Sequence, residues 1–140
     1  MGKSCLDLTG RVAVVFGGTS GLGKSIAIGL AEHGADVVPG GRRAELLEST
    51  CNEIETAGRH TMRQPVDVTH RSSIVQFRDR VLAELGRVDI LVNAAGTTLK
   101  KPTVEVSASE WDGLFRVNLT GVLQCCQEFY QPLKESGAGR

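Results

Sequence analysis

The chain has 140 residues, of which 41% are hydrophobic and 23% charged, and its formal net charge is zero. That length predicts one domain, residues 1–140, able to bury roughly two-thirds of its unfolded surface. The charge balance argues against nucleic acid or an anionic membrane as partner, and no apolar run reaches the length of a membrane span.

The first segment, Met1-Gly2-Lys3-Ser4-Cys5, has no apolar stretch behind its charge, so no signal peptide is read there. Val12–Phe16 reads as a first strand. Gly21 to His33 reads as a helix, with Leu22, Ile26 and Leu30 on one side and the small residues Ala27 and Gly29 allowing close packing. Asp36–Pro39 is a short second strand, and Arg42 to about Ala57 a helix with Leu47, Cys51 and Ile54 on one face. Thr61–Val66 reads as a third strand ending near Pro65, followed by a helix from His70 to Leu85 carrying Ile74, Phe77, Val81 and Leu85 on one stripe. Val88–Asn93 is a fourth strand, and its run Ile90-Leu91-Val92 is apolar on both faces, as a central parallel strand requires. Ser107-Ala108-Ser109-Glu110 is a capping box that opens a long helix. One stripe of that helix carries Trp111, Phe115, Val122, Cys126, Phe129 and Leu133, which are expected mostly to pack in the core. The cysteines, Cys5, Cys51, Cys125 and Cys126, lack metal-type spacing and read as reduced thiols of a cytoplasmic protein.

Alternation of strand and helix predicts an α/β fold, a doubly wound parallel sheet of the Rossmann-like kind. Ligands of such sheets sit beyond the carboxyl ends of the strands. Four segments converge on that edge: Gly17–Gly23, Gly40–Arg43, Asp67-Val68 and Asn93–Gly96. The first, Gly17-Gly18-Thr19-Ser20-Gly21-Leu22-Gly23, joins a strand to a helix. A helix start presents bare N–H groups and roughly half a positive charge, which suits a pyrophosphate. Gly17 permits the turn, Gly21 lets a phosphate approach, and Gly23 lets the helix sit close to the sheet.

These residues resemble the short-chain dehydrogenase/reductase family. The match comprises Gly17, Gly21 and Gly23; Asp67-Val68; Asn93-Ala94-Ala95-Gly96 after Asp89-Ile90-Leu91-Val92; and Val117-Asn118-Leu119-Thr120-Gly121. It runs from about Leu8 to Arg140. Two positions depart from the family pattern. Phe16 stands where the family usually has Thr, whose hydroxyl ties the glycine loop to the fourth strand, and its ring is expected to add bulk beside that loop. Pro39 brings a missing N–H to an interior strand.

The resemblance implies hydride transfer between a nicotinamide dinucleotide and a small carbonyl or alcohol substrate. Gly17, Thr19, Ser20, Gly21, Leu22 and Gly23 would hold the pyrophosphate side. Asp67 and Val68 would contact the adenine, and Asn93, Ala94, Ala95 and Gly96 the ribose side. A strand-end turn residue is the alternative for Asn93, and a plain loop glycine for Gly96. The coenzyme is read where the second strand ends. An acidic residue there would hold the ribose hydroxyls of NAD. The chain has Gly40-Gly41-Arg42-Arg43 instead. Two arginines in the first turn of a helix oppose its dipole, and a 2′-phosphate would reverse that sign. One charge-assisted bond, about 1.5–3 kcal/mol, would shift preference tenfold or more. The expected coenzyme is therefore NADP, with NAD or dual use as the alternative and a solvated basic helix start as the plainer explanation of Arg42 and Arg43.

Asn118 matches the family's catalytic Asn, which helps hold a water in a proton relay; a buried core amide satisfied by hydrogen bonds is the alternative. The family's Ser and Tyr-x-x-x-Lys are not matched. Tyr130-Gln131-Pro132-Leu133-Lys134 has the spacing but lies on the helix of Asn118, and its proline is expected to break the turn. The sequence thus reads as the cofactor-binding half of a reductase, truncated before the fifth strand and without turnover alone. The fourth strand would then be an exposed apolar edge. Full-length homo-oligomerisation is expected, because the family pairs the corresponding long helix across a dimer interface. A non-catalytic nucleotide- or partner-binding module is the alternative.

Overall fold

The computed structural model describes residues 6–140. Met1–Cys5, and with it the Cys5 thiol, lie outside the described residues. Three parallel strands form one sheet in the order β2-β1-β3: β1 Val12–Phe16, β2 Asp36–Gly40 and β3 Ile90–Asn93. Val12 pairs with Asp36, and Ala13 with both Val37 and Ile90. The helices are α1 Gly21–Glu32, α2 Ala44–Thr56, α3 Arg71–Leu85, α4 Ala108–Phe115 and α5 Val122–Glu135. The Rossmann-like expectation holds.

Period-two alternation in β1 sorts the core into two layers. Ala13 and Val15 face Ala27 and Ala31 of α1 and Ile54 of α2. Val14 and Phe16 face the opposite way, onto Ile74, Phe77 and Val81 of α3 and Cys125 and Phe129 of α5. The Phe16 ring is therefore not beside the glycine loop, as expected, but fully buried, with centroids 5.5 Å from Phe77 and 5.6 Å from Phe129. The loop is tied down by backbone instead, with Gly17 N–H donating to Gly40 and Ala94 N–H to the Phe16 carbonyl.

The expected strand 61–66 does not form a ladder. Two bonds set a parallel register beside β2: Val37 N–H to the His60 carbonyl, and Val66 N–H to the Gly41 carbonyl. In that register the Pro39 nitrogen faces the Met62 carbonyl and has no hydrogen to give. The Cys51 thiol sits 3.6 Å from that carbonyl. Pro39 thus lies on the outer edge of β2, not between two paired strands. The segment stays packed because Met62 and Val66 are buried and because Arg63 bonds to Glu48, Asn52 and Glu55 on α2.

β3 begins its ladder at Ile90, two residues later than expected, and its residues are half-buried apart from exposed Asn93. Beyond it, Arg140 N–H donates to the Asp89 carbonyl and the Arg140 carbonyl accepts from Leu91, one parallel bridge on the outer side of β3. Asp89, immediately before β3, is buried and binds Arg11, Arg87 and the Val12 N–H.

The long helix is interrupted by a π-turn over Arg116–Gly121. Such a turn shifts the register of everything beyond it. The core row is Cys125, Phe129 and Pro132, while Trp111, Phe115 and Cys126 from the expected stripe are exposed, as are Leu119 and Leu123. Pro132 does not break the helix, which continues to Glu135. Cys51, Cys125 and Cys126 are free thiols. Burial raises the pKa of Cys51, and burial with the neighbouring Cys126 pushes Cys125 up to about 12. No helix among the described residues is long and apolar enough to cross a membrane.

Candidate functional site

A cleft of about 550 Å³ opens where the strands end, a size typical of small-molecule sites. All four expected segments line it. Its wall includes Gly17, Thr19, Ser20, Leu22 and Gly23, then Arg42 and Arg43, then Asp67 and Val68, then Ala94, Ala95 and Gly96.

Each glycine of the first loop answers a different constraint. Gly17 has φ +77°, and a Cβ there would lie 2.5 Å from the Ala94–Ala95 peptide. At Gly23 a Cβ would come within 2.1 Å of the Gly17 carbonyl oxygen, so this glycine seats α1 against the loop. Gly21, with φ +54°, has nothing within 4 Å of the Cβ position. Ser20 is the N-cap of α1 in extended conformation, its side chain makes no capping bond, and the first turn holds no acidic residue. The first-turn N–H groups are left without a side-chain partner, the condition under which a helix start favours an anion.

Arg42 and Arg43 precede α2 rather than opening it: Arg43 is the N-cap, and Glu45 is the acid of the first turn. Both arginines are exposed, and among the described residues neither has an ion pair or side-chain hydrogen bond. Arg42 nevertheless acts on Asp67 across the cleft. Burial raises the pKa of Asp67, but the Thr69 hydroxyl and N–H bonds, with the Arg42 and His70 charges, outweigh it and hold the carboxyl below its usual range.

Of the expected site residues, Gly21, Asn93 and Asn118 do not line the cleft. The Asn93 amide lies 3.4 Å from the Cys126 sulfur. Asn118 sits in the π-turn, exposed rather than buried, and both ends of its amide are taken up by Thr97: Thr97 N–H donates to Oδ1, and Nδ2 donates to the Thr97 carbonyl, each at 2.8 Å. Its side chain fastens the loop after β3. Tyr130 and Lys134 line neither this cleft nor the second cavity described below.

Gly40 and Gly41 of the expected Gly40–Arg43 segment also line the cleft, and with them Val66, Thr69, Thr97 and Val117, to which the sequence assigned no role. Gly41 carried a readable signal, since it stands beside Arg42, and a Cβ there would meet Thr19 Oγ1 at 2.5 Å. Val66 and Val117 are brought in by packing alone.

Residues 11–140 match the model of the short chain dehydrogenase family. The chain is 33% identical over 134 residues to gluconate 5-dehydrogenase of Gluconobacter oxydans, covering 96% of this chain and 52% of that enzyme. A metagenomic short-chain oxidoreductase solved in complex with NADP superposes with a TM-score of 0.87 at 36% identity, covering 95% of this chain and 61% of that one. An alcohol dehydrogenase from Thermococcus sibiricus, complexed with 5-hydroxy-NADP, gives 0.86 at 32% identity, over 91% and 55% of the two chains. The chain spans about half the length of the curated relatives it matches. With the glycine loop, the convergent strand ends and these likenesses together, the chain belongs to the short-chain dehydrogenase/reductase family.

Proposed function

We propose that this chain carries the NADP(H) site of a cytoplasmic oxidoreductase acting on a small carbonyl or alcohol substrate. The carrying observation is the pairing, in one cleft, of an uncapped α1 start with two arginines that have no ion pair or side-chain hydrogen bond among the described residues. The residues fit a dinucleotide on their own geometry. Gly21 leaves open space at the helix head, Thr19, Ser20, Leu22 and Gly23 surround it, and Gly17 lets the Ala94–Ala95 backbone close in. Arg42 and Arg43 follow the end of β2 on the cleft wall and would bind a 2′-phosphate, and no acidic side chain occupies Gly40 or Gly41 to hold free ribose hydroxyls. Asp67 and Val68 would flank the adenine, and Ala95, Gly96 and the backbone at Asn93 and Ala94 the ribose beyond it. When bound, the nicotinamide supplies or accepts the hydride. Asn118 would fix the Thr97 backbone beside Gly96, at that end of the cleft.

The family's Ser and Tyr-x-x-x-Lys are unmatched in the sequence, so these 140 residues by themselves are expected to bind coenzyme without turnover. Exposure of Trp111, Phe115, Leu119 and Leu123 favours a second reading, a nucleotide-binding module that docks a partner, and equally supports pairing of this helix face in a full-length homo-oligomer. Measured NADPH oxidation by the purified chain would contradict the absence of turnover.

Dissociation constants for NADPH and NADH test the coenzyme assignment. NADPH is expected to bind at least tenfold more tightly, and a variant with Arg42→Ala and Arg43→Ala to lose that preference. Tighter NADH binding by the unmodified chain would overturn it.

A further inference from the structure

We propose that a second cavity, between the 99–106 loop and α4, receives an uncharged, apolar, ring-sized part of the substrate. The assignment rests on the coenzyme reading of the neighbouring cleft for the word substrate alone; the pocket and its chemistry stand on separate residues.

The cavity measures about 400 Å³, and Leu99, Val106, Ala108, Trp111 and Leu114 give it an apolar lining. Its one cation is already matched. Lys101 Nζ lies 3.0 and 3.1 Å from the two Glu110 carboxylate oxygens. The carboxylate also accepts the Ser107 N–H, and the Ser107 hydroxyl accepts the Glu110 N–H in the capping box. Those backbone and Lys101 bonds bring Glu110 down to about 2, so the pair remains ionised and mutually neutralised at physiological pH. A ligand carboxylate or phosphate would find no spare charge there. Thr103 and Ser107 add two hydroxyls to the lining, too few to replace the hydration of a hydroxyl-rich ligand. An apolar ring would meet the Trp111 indole, which is braced by Phe115 at a centroid distance of 4.6 Å.

Position links the pocket to the cleft. Trp111, Leu114 and Val117 are spaced by three, which places them as neighbours along one side of the helix. Leu114 and Trp111 line the second cavity, whereas Val117 lines the first with Gly96 and Thr97. The loop makes the same passage, lining the cleft at Thr97 and the pocket at Leu99, residues no more than about 7 Å apart along the chain. A molecule reacting at the Gly96–Thr97 end can thus lay an apolar substituent on Trp111.

The test uses the whole chain, whose one tryptophan is Trp111. Titration with acetophenone is expected to quench its emission along a saturating curve and to shift the amide resonances of Leu99, Val106 and Leu114. D-gluconate at equal concentration is expected to move neither. Ala108→Phe, a change at an exposed lining position, is expected to raise the acetophenone dissociation constant at least tenfold and leave the NADPH response as it was. Linear, unsaturating quenching that persists in Ala108→Phe would overturn the assignment. So would amide shifts that follow protein concentration and vanish in Val104→Asp, since a second copy would then be filling the pocket through the exposed Val104. If acetophenone saturates while NADPH moves no resonance at Gly21–Gly23, the coenzyme reading fails and the ring pocket stands.

Discussion

Asn118 and Thr97 hold each other by two hydrogen bonds of 2.8 Å, an amide side chain on the π-turn gripping the peptide of the loop after β3. The sequence marked Asn118 as a proton-relay residue or a buried core amide. The amide is exposed, which excludes the buried core amide; its side chain is a clasp between a helix and the loop that lines one end of the cleft, and the proton-relay role stays a proposal. Asn118→Ala removes both bonds, a loss of about 1–2 kcal/mol for two partly solvated hydrogen bonds. Amide hydrogen exchange should show Thr97 losing protection while the β1 amides keep theirs. Unchanged exchange at Thr97 would mean the clasp does not restrain the loop.

Two glycines of α1 should respond in opposite senses to the same methyl group. At Gly23 the methyl meets the Gly17 carbonyl at 2.1 Å, so Gly23→Ala must push the loop away from the helix, at about 1–3 kcal/mol. At Gly29 nothing lies within 4 Å, and Gly29→Ala should stabilise the helix by about 0.5–1 kcal/mol. Denaturant midpoints of the two variants check this. Equal shifts would show that the close approach at Gly23 is not a constraint.

Asp89 sets an acid-side limit on stability. Burial raises its pKa, but bonds from Arg87, the Val12 N–H and Arg11 more than compensate, so the folded value lies below the ordinary carboxylate range. A depressed folded pKa gives stability that is complete above the unfolded value, about 4, and is lost as pH falls through the folded one. Asp89→Asn keeps an acceptor for Val12 but removes the charge facing two arginines. It should cost about 1.5–3 kcal/mol at pH 7, and the gap between the two proteins should narrow steadily below pH 4. A gap independent of pH would place the effect in packing rather than charge.

Much of the fold was legible because β1 and its glycine loop are local patterns: an apolar strand, a turn that needs positive φ, and a small-residue helix. Strand 61–66 was misread because its sequence is strand-like while its partner strand is not. Pro39 on the facing edge removes the donor that the Met62 carbonyl needs, and Arg63 supplies a side-chain anchor in place of the ladder. The long helix was misread for a related reason. Counted from Trp111, the stripe starts on a row that the structure leaves exposed, and the residue inserted by the π-turn carries that row on through Leu119 and Leu123, while Cys125, Phe129 and Pro132 form the buried one. Phe16 illustrates a third limit. Its position beside the glycine loop in sequence says nothing of which face of β1 its ring takes, and the alternation along Val14 and Phe16 sends it to the far layer. In the cleft, the glycines and arginines were readable one by one, whereas Val66, Thr69 and Val117 enter only through the way distant elements meet.

The central claim is that the uncapped start of α1 binds the diphosphate of NADP(H). Titrating the isotopically labelled chain with NADPH and following its amide resonances tests this directly. The result expected is saturable movement of Thr19, Ser20, Gly21, Leu22 and Gly23, accompanied by Arg42 and Arg43. A folded chain whose Thr19–Gly23 resonances stay in place at millimolar NADPH would contradict it.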